Sequence, residues 1–265
     1  MAACKVCEQP LVLEVEDDDG NDEQEFVPDD LEISCGCHFH WQCLLDQAAE
    51  LAKSLKCPSC GAEISTNTNT AGPSTSNPSI QSVPGAAILT RYTNEGGVQE
   101  NYDILPEITE EAYIEANPEV VPARAYHVMC SIGDIDSILA ILRDAEQSQA
   151  EQMEEQDRVL SAAQLIRYQD PLEDSKSGLH LAIEKGQEEV VWLLLWIAST
   201  LPTESFPGPA VQAAQAMGIQ RPSTLVSEDI RALKDNQGRT GEAVAAQMGG
   251  LWTAIVQSGT LRPDS

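Results

Sequence analysis

Basic residues are scarce: 15 Lys and Arg stand against 43 Asp and Glu, a formal net charge of −28. Binding nucleic acid or an anionic membrane needs clustered Lys and Arg, so this balance excludes both and points to protein partners, basic ones among them. Long apolar runs are missing too. The longest, VVWLLLWIA over Val190–Ala198, is far short of the roughly 20 residues that span a bilayer. Aromatics make up only 5% of the chain, which suits thinly packed helices better than a β-sandwich. Met1-Ala2-Ala3-Cys4 runs straight into a cysteine pair with no apolar leader, so a soluble intracellular protein, cytoplasmic or nuclear, is expected.

Cysteine, in contrast, is concentrated. Seven of eight lie in the first 60 residues: Cys4, Cys7, Cys35, Cys37, Cys43, Cys57 and Cys60. Clustered cysteines without a secretory leader read as metal ligands rather than disulfides. Cys130 stands apart and reads as a small buried apolar residue.

The order is Cys4-x2-Cys7, then Cys35-x-Cys37-x2-His40-x2-Cys43, then Cys57-x2-Cys60. That makes eight ligands, enough for two closed four-coordinate sites. Thiolates with one imidazole select zinc over hard cations, and with no position left open the zinc is structural.

This pattern resembles the RING finger over residues 4–60. In that family the ligand pairs interleave. The resemblance therefore implies one site of Cys4, Cys7, His40 and Cys43 and a second of Cys35, Cys37, Cys57 and Cys60. The family usually has histidine as the fourth ligand. Here Cys37 takes that place, and His38, one residue out of register, becomes an exposed loop side chain. The same ligand order occurs in PHD fingers. Those keep more residues before the histidine and an aromatic two residues before the seventh ligand, where this chain has Leu55.

The resemblance implies E3 ubiquitin ligase activity, exerted by holding a ubiquitin-loaded E2 enzyme in a reactive pose, without a catalytic residue of the chain's own. The implied E2 contacts are Val6, Pro58, and Gln47 with its neighbour Leu44 on an expected helix over Leu44–Lys56. Where many active members have Arg or Lys after the last cysteine, this chain has Gly61. A non-enzymatic adaptor with a purely structural zinc finger is the competing reading. Glu14 to Glu32 carries eleven acidic and no basic residues. It reads either as a solvated insertion or as a lure for a basic partner.

Residues 65–84 are uncharged and rich in Ser, Thr, Asn and Pro, the composition of a flexible linker. Residues 85–122 read as a hairpin turning at NEGG and then an acidic helix, a possible cap for the helices beyond. Residues 123–262 carry a weak repeat. Aligned on His127, His180 and Ala243, each copy has a glycine six residues on: Gly133, Gly186 and Gly249. An apolar helix comes after it each time.

The middle copy, SGLHLAIEKG, resembles the ankyrin repeat. The copies lie 53 and 63 residues apart, against about 33 in that family, so Glu146–Arg167 and Pro202–Arg221 are insertions. His127 and His180 are then structural, bonding the turn of their own unit, and Trp192, Trp196 and Trp252 are core. The expected fold is mainly α with a small α+β zinc module: a cross-braced two-zinc RING-like finger (1–64), the linker, the hairpin, and ankyrin-like helices that recruit a protein substrate or scaffold.

Overall fold

The computed structural model describes residues 2–15, 25–67, 86–151 and 159–263. Most of the acidic run (16–24) and of the uncharged stretch (68–84) lies outside the described residues, as does 152–158 of the first insertion. The chain divides into two compact units, Met1–Pro118 and Glu119–Ser265. About half of it is helical, with small sheets.

The first unit begins with a ribbon in which β1 (Val12–Val15) pairs antiparallel with β2 (Glu25–Pro28). Strands β3 (Asp30–Ile33) and β4 (His38–Phe39) come next, then helices α1 (Trp41–Leu45) and α2 (Ala48–Ser54). In β3 the sequence DLEI alternates, and Leu31 and Ile33 are buried while Asp30 and Glu32 are partly exposed, the period-2 signature of a half-buried strand. The helix expected over Leu44–Lys56 is two shorter ones, broken at Asp46–Gln47.

β5 (Thr66–Asn67) pairs antiparallel with β6 (Ala86–Ala87), bringing the two ends of the uncharged stretch side by side. A segment whose ends are paired does not separate two bodies, and the residues after it, as far as Pro118, belong to the first unit. The expected hairpin forms as β7 (Leu89–Asn94) and β8 (Gly97–Asp103), with its turn at NEGG. Within the first unit β7 pairs with β3, giving a four-stranded sheet of order β4-β3-β7-β8. The acidic helix α3 (Leu105–Ala116) packs on α2. Leu31, Phe39, Leu44, Leu51, Ile88 and Ile104 meet in the core, each contributing about 1.5–3 kcal/mol by burial.

The second unit contains α4 (Val121–Ile132), α5 (Ile135–Glu151), α6 (Ala162–Ile166), the short pair β9 (Gln169–Asp170) and β10 (Lys176–Ser177), then α7 (Gly178–Glu184), α8 (Glu188–Ala198), α9 (Gly208–Ala216), α10 (Gly241–Met248) and α11 (Thr253–Gln257). The repeat is visible as helix–glycine–helix pairs: α4–α5, α7–α8 and α10–α11. Their turns contain Gly133, Gly186 and Gly249 at φ of +87°, +75° and +63°, a conformation L side chains resist. Helix α7 packs against both α4 and α10, so the first helices form a row. A Cβ on Gly178 would lie 2.8 Å from the Tyr126 ring and 2.9 Å from Cys130 Sγ, which shows how closely α7 approaches α4.

α8 occupies the middle of this core, with seven of its residues buried. Trp252 and Trp196 are buried as expected; Trp192 is only half-buried. Cys130 is fully buried, and burial pushes its thiol up to about 12. His180 Nδ1 accepts from Ser177 Oγ of its own turn at 2.8 Å, while Nε2 donates to the Arg239 carbonyl at 3.0 Å, linking α7 to the approach to α10. His127 differs from expectation. It has Arg124 where His180 has Ser177, and its Nε2 donates to the Tyr168 carbonyl at 3.1 Å instead of to its own turn. Burial lowers both imidazoles, His127 to about 4, so both stay neutral at pH 7.

A buried ion pair closes the C-terminal end. The Arg231 guanidinium, 1% exposed, reaches Asp229 at 2.7 Å, Thr200 Oγ1 at 2.8 Å and the Arg262 carbonyl at 2.7 Å. Truncating one partner strands a buried charge. Arg231→Met is expected to destabilise the second unit by about 3–5 kcal/mol, read as a lower urea midpoint by fluorescence of Trp192, Trp196 and Trp252.

Candidate metal centre

The ligand pairs interleave in space. Cys4, Cys7, His40 and Cys43 form one cluster and Cys35, Cys37, Cys57 and Cys60 another, the donor atoms of each all within 4.8 Å of one another. Tetrahedral zinc with sulfur at 2.3 Å has donor–donor edges of roughly 3.8 Å. In the first cluster His40 Nδ1 lies 3.3 Å from Cys7 Sγ and 3.8 Å from Cys43 Sγ. The donor chemistry and the spacing both fit zinc.

Two matching knuckles present the outer cysteines. In the first, Ala3 bridges Pro10, the Cys4 N–H donates to the Gln9 carbonyl, and Glu8 takes φ of +61°. In the second, Lys56 bridges Glu63, the Cys57 N–H donates to the Ala62 carbonyl, and Gly61 takes φ of +73°. The remaining ligands lie beside regular elements. Cys35 and Cys37 flank the turn between β3 and β4, and His40 and Cys43 sit at the N-terminus and on the first turn of α1.

The surroundings orient these donors. His40 Nε2 donates to the Pro10 carbonyl at 2.8 Å, which leaves the Nδ1 lone pair aimed at the sulfurs. The His40 N–H donates to Cys4 Sγ and the Cys60 N–H to Cys57 Sγ, each at 3.4 Å. The bond to Cys4 favours its thiolate. In Cys4 burial raises the thiol, but the N–H groups of Cys7, His40 and Val6 outweigh it and bring it down to about 6. The Ala62 N–H and the neighbouring thiols bring Cys60 to about 7. Burial, reinforced by neighbouring thiols, pushes Cys35 and Cys43 up to about 12. The first cluster thus holds one sulfur that ionises readily, Cys4, and one that resists, Cys43, while in the second Cys60 ionises readily and both Cys35 and Cys37 are held up by burial; a dication at the centre would favour the ionised form of each.

His38 lies outside both clusters. It is not an exposed loop side chain but part of β4, partly buried, with Nδ1 2.7 Å from Asp30 Oδ1. Two carboxylates that read as ordinary members of the acidic run are therefore structural. Asp30 pairs with His38, and Asp29, 2% exposed, accepts from the Trp41 N–H at 3.2 Å and the Tyr92 hydroxyl at 3.0 Å. The Trp41 ring packs on Tyr92 and Tyr102, with centroids 5.0 and 5.8 Å away, so the hairpin rests on the start of the ligand-bearing helix. No pattern in the acidic run separates Asp29 from its neighbours.

The expected E2 contacts divide. Val6, 43% exposed, and Pro58, also exposed, sit on the two knuckles. Leu44 is 0% exposed and cannot meet a partner; it is on the core side of α1. Gln47 is half-buried at the break between α1 and α2. A third grouping, His127, Asp170 and Glu173, already has its cation: Arg124 Nη1 lies 2.7 Å from Asp170 Oδ2. Among the described residues no helix is long and apolar enough to cross a membrane. Comparison with protein-family models, curated proteins and solved structures finds no significant match to this chain.

Metal analysis is expected to give two zincs per chain. Cys37→Ser lowers that number, whereas His38→Ala leaves it at two; loss of zinc on His38→Ala would exchange their roles. The protonated thiols must release protons on binding, so affinity rises with pH. Titration of zinc in two buffers of different ionisation enthalpy at pH 7 should show net proton release, and affinity should fall steadily from pH 7.5 to 6.

Proposed function

We propose that the chain is a RING-type E3 ubiquitin ligase, with the first unit binding a ubiquitin-loaded E2 and the second recruiting a protein substrate or scaffold. The interleaved pairing of ligands at residues 4–60, which leaves Val6 and Pro58 exposed on the two knuckles, carries this reading. In a RING-like arrangement the two zincs are structural. They fix the knuckles, and catalysis consists of holding the E2 thioester in a near-attack pose. No nucleophile is needed, which fits a first unit whose thiols are drawn into metal clusters.

The second unit reads as a degenerate ankyrin-like stack. The support is its row of first helices, its left-handed glycine turns, and His180 bonding forward to the next copy. Such stacks offer an extended surface to protein partners.

Two observations favour the adaptor reading instead. Leu44 is withdrawn into the core, and Gly61 supplies no basic side chain beyond the last cysteine.

A panel of ubiquitin-charged E2 enzymes separates the two. A ligase accelerates discharge to free lysine by at least about tenfold with one or more of them, or about 1.4 kcal/mol off the barrier. Val6→Arg is expected to abolish that acceleration while retaining two zincs. No acceleration with any E2 leaves the adaptor.

A further inference from the structure

The second insertion builds a cavity that the repeat pattern alone would not contain. Phe206 and α9 lie over α8 and, with the turn between α4 and α5, enclose about 730 Å³, within the range of ligand pockets and too large for a single ion. Its floor is aromatic. The Phe206 ring meets Trp196 edge-on, with centroids 5.2 Å apart, and lies 5.9 Å from Trp192. Arg221 closes the insertion by stacking on Phe206 and Trp196 and donating to the Ser199 and Leu201 carbonyls. Exposed Met217 forms part of the lining, a flexible apolar side chain of the kind that adapts to varied partners.

The rim is acidic. Asp134, Asp136, Glu188 and Glu189 all line the cavity, and no Lys, Arg or His is among its lining residues. Acidic residues at helix N-termini ordinarily serve the helix dipole, and Asp134 does so here: its two oxygens accept from the N–H and hydroxyl of Ser137. The two helix ends together contribute only about one positive charge, which leaves a negative field from the other three carboxylates even after Asp134 is set aside. Glu188 also accepts from the Trp192 indole at 3.3 Å, coupling the rim to the aromatic wall.

An aromatic hole with an acidic rim is complementary to an apolar side chain flanked by cationic ones. We propose that this cavity docks a basic peptide segment of a partner protein, an apolar residue entering above Phe206 and flanking lysines or arginines meeting Glu188, Glu189 and Asp136. This deepens the recruiting role proposed for the second unit and rests on it, but requires nothing of the zinc clusters.

The test measures fluorescence anisotropy of a labelled peptide of alternating lysine and leucine with the zinc-loaded full chain and no E2. Two control peptides carry serine for leucine or glutamate for lysine. The expected result is tight binding of the lysine–leucine peptide only, weakening as salt rises. Glu188→Gln with Glu189→Gln should weaken binding at least fivefold. Ala213→Trp, filling the cavity from the exposed face of α9, should abolish it while leaving the far-ultraviolet circular dichroism unchanged. Glu50→Gln with Glu115→Gln removes the same charge from residues that do not line the cavity, and should leave binding within twofold.

Equal weakening by the two charge pairs, or binding of the serine peptide as tight as that of the leucine peptide, would reduce the effect to the chain's net charge and overturn the proposal. So would undiminished binding to Ala213→Trp. E2 discharge measured on the same variants keeps this outcome separate from the ligase reading, which would survive a cavity that binds nothing.

Discussion

The first unit is organised around the crowding of eight soft donors into two groups, each with its atoms within 4.8 Å of one another. Ionised sulfurs so close repel one another unless a cation lies between them, and protonated ones cannot bond a metal. Because the pairs interleave, each centre ties a knuckle to a distant part of the unit: residues 4 and 7 to the start of α1, and residues 57 and 60 to the β3–β4 turn. The rest of the unit is built outward from there. His40 reaches back to Pro10, Asp29 receives the first N–H of α1 and the hydroxyl of Tyr92, and Trp41 packs on two tyrosines of the hairpin. The sheet and α3 then cover an aliphatic core that begins at the metal ligands.

The ligand set was legible in the sequence because soft donors cluster there at tight spacing, but its division into two interleaved groups was legible only through the resemblance to the RING finger, since spacing alone leaves many groupings open. The hairpin turn was legible for a similar reason, since NEGG is a local signal. The surface on which the hairpin packs was not. Pairing of β7 with β3 joins residues some sixty positions apart in sequence, and the composition of the intervening stretch suggested separation instead. Leu44 was misplaced because a short apolar helix gives no indication which face meets a core until its partners are known. Asp29 and His38 failed the same way; a buried carboxylate inside a run of carboxylates has no sequence signature.

In the second unit the repeat was legible at its glycines and at His180, the positions where backbone geometry restricts the residue. It was weakest where packing decides. His127 lost the hydroxyl partner that His180 keeps, and bonds a carbonyl 41 residues on instead. The insertion at 202–221 resembled a loop because its prolines and alanines set no period. It takes shape only against the aromatic face of α8, through Phe206 and Arg221. Departure from a strict repeat is therefore what leaves Trp192 half-buried beside a cavity and not sealed within a helix stack.

The two knuckles bear on how much Gly61 weighs against the proposed ligase activity. Both place the residue after their second cysteine in the left-handed region, Glu8 at +61° and Gly61 at +73°. The backbone prefers glycine there, and an L side chain costs about 1–2 kcal/mol. Glu8 shows that this fold bears that cost at the equivalent position. A Cβ on Gly61 would meet nothing within 4 Å, so neither strain nor crowding forbids a basic side chain. In the proposed ligase reading, a unit without that donor would depend more heavily on the apolar contacts that remain, and of those expected from the sequence only Val6 and Pro58 are exposed.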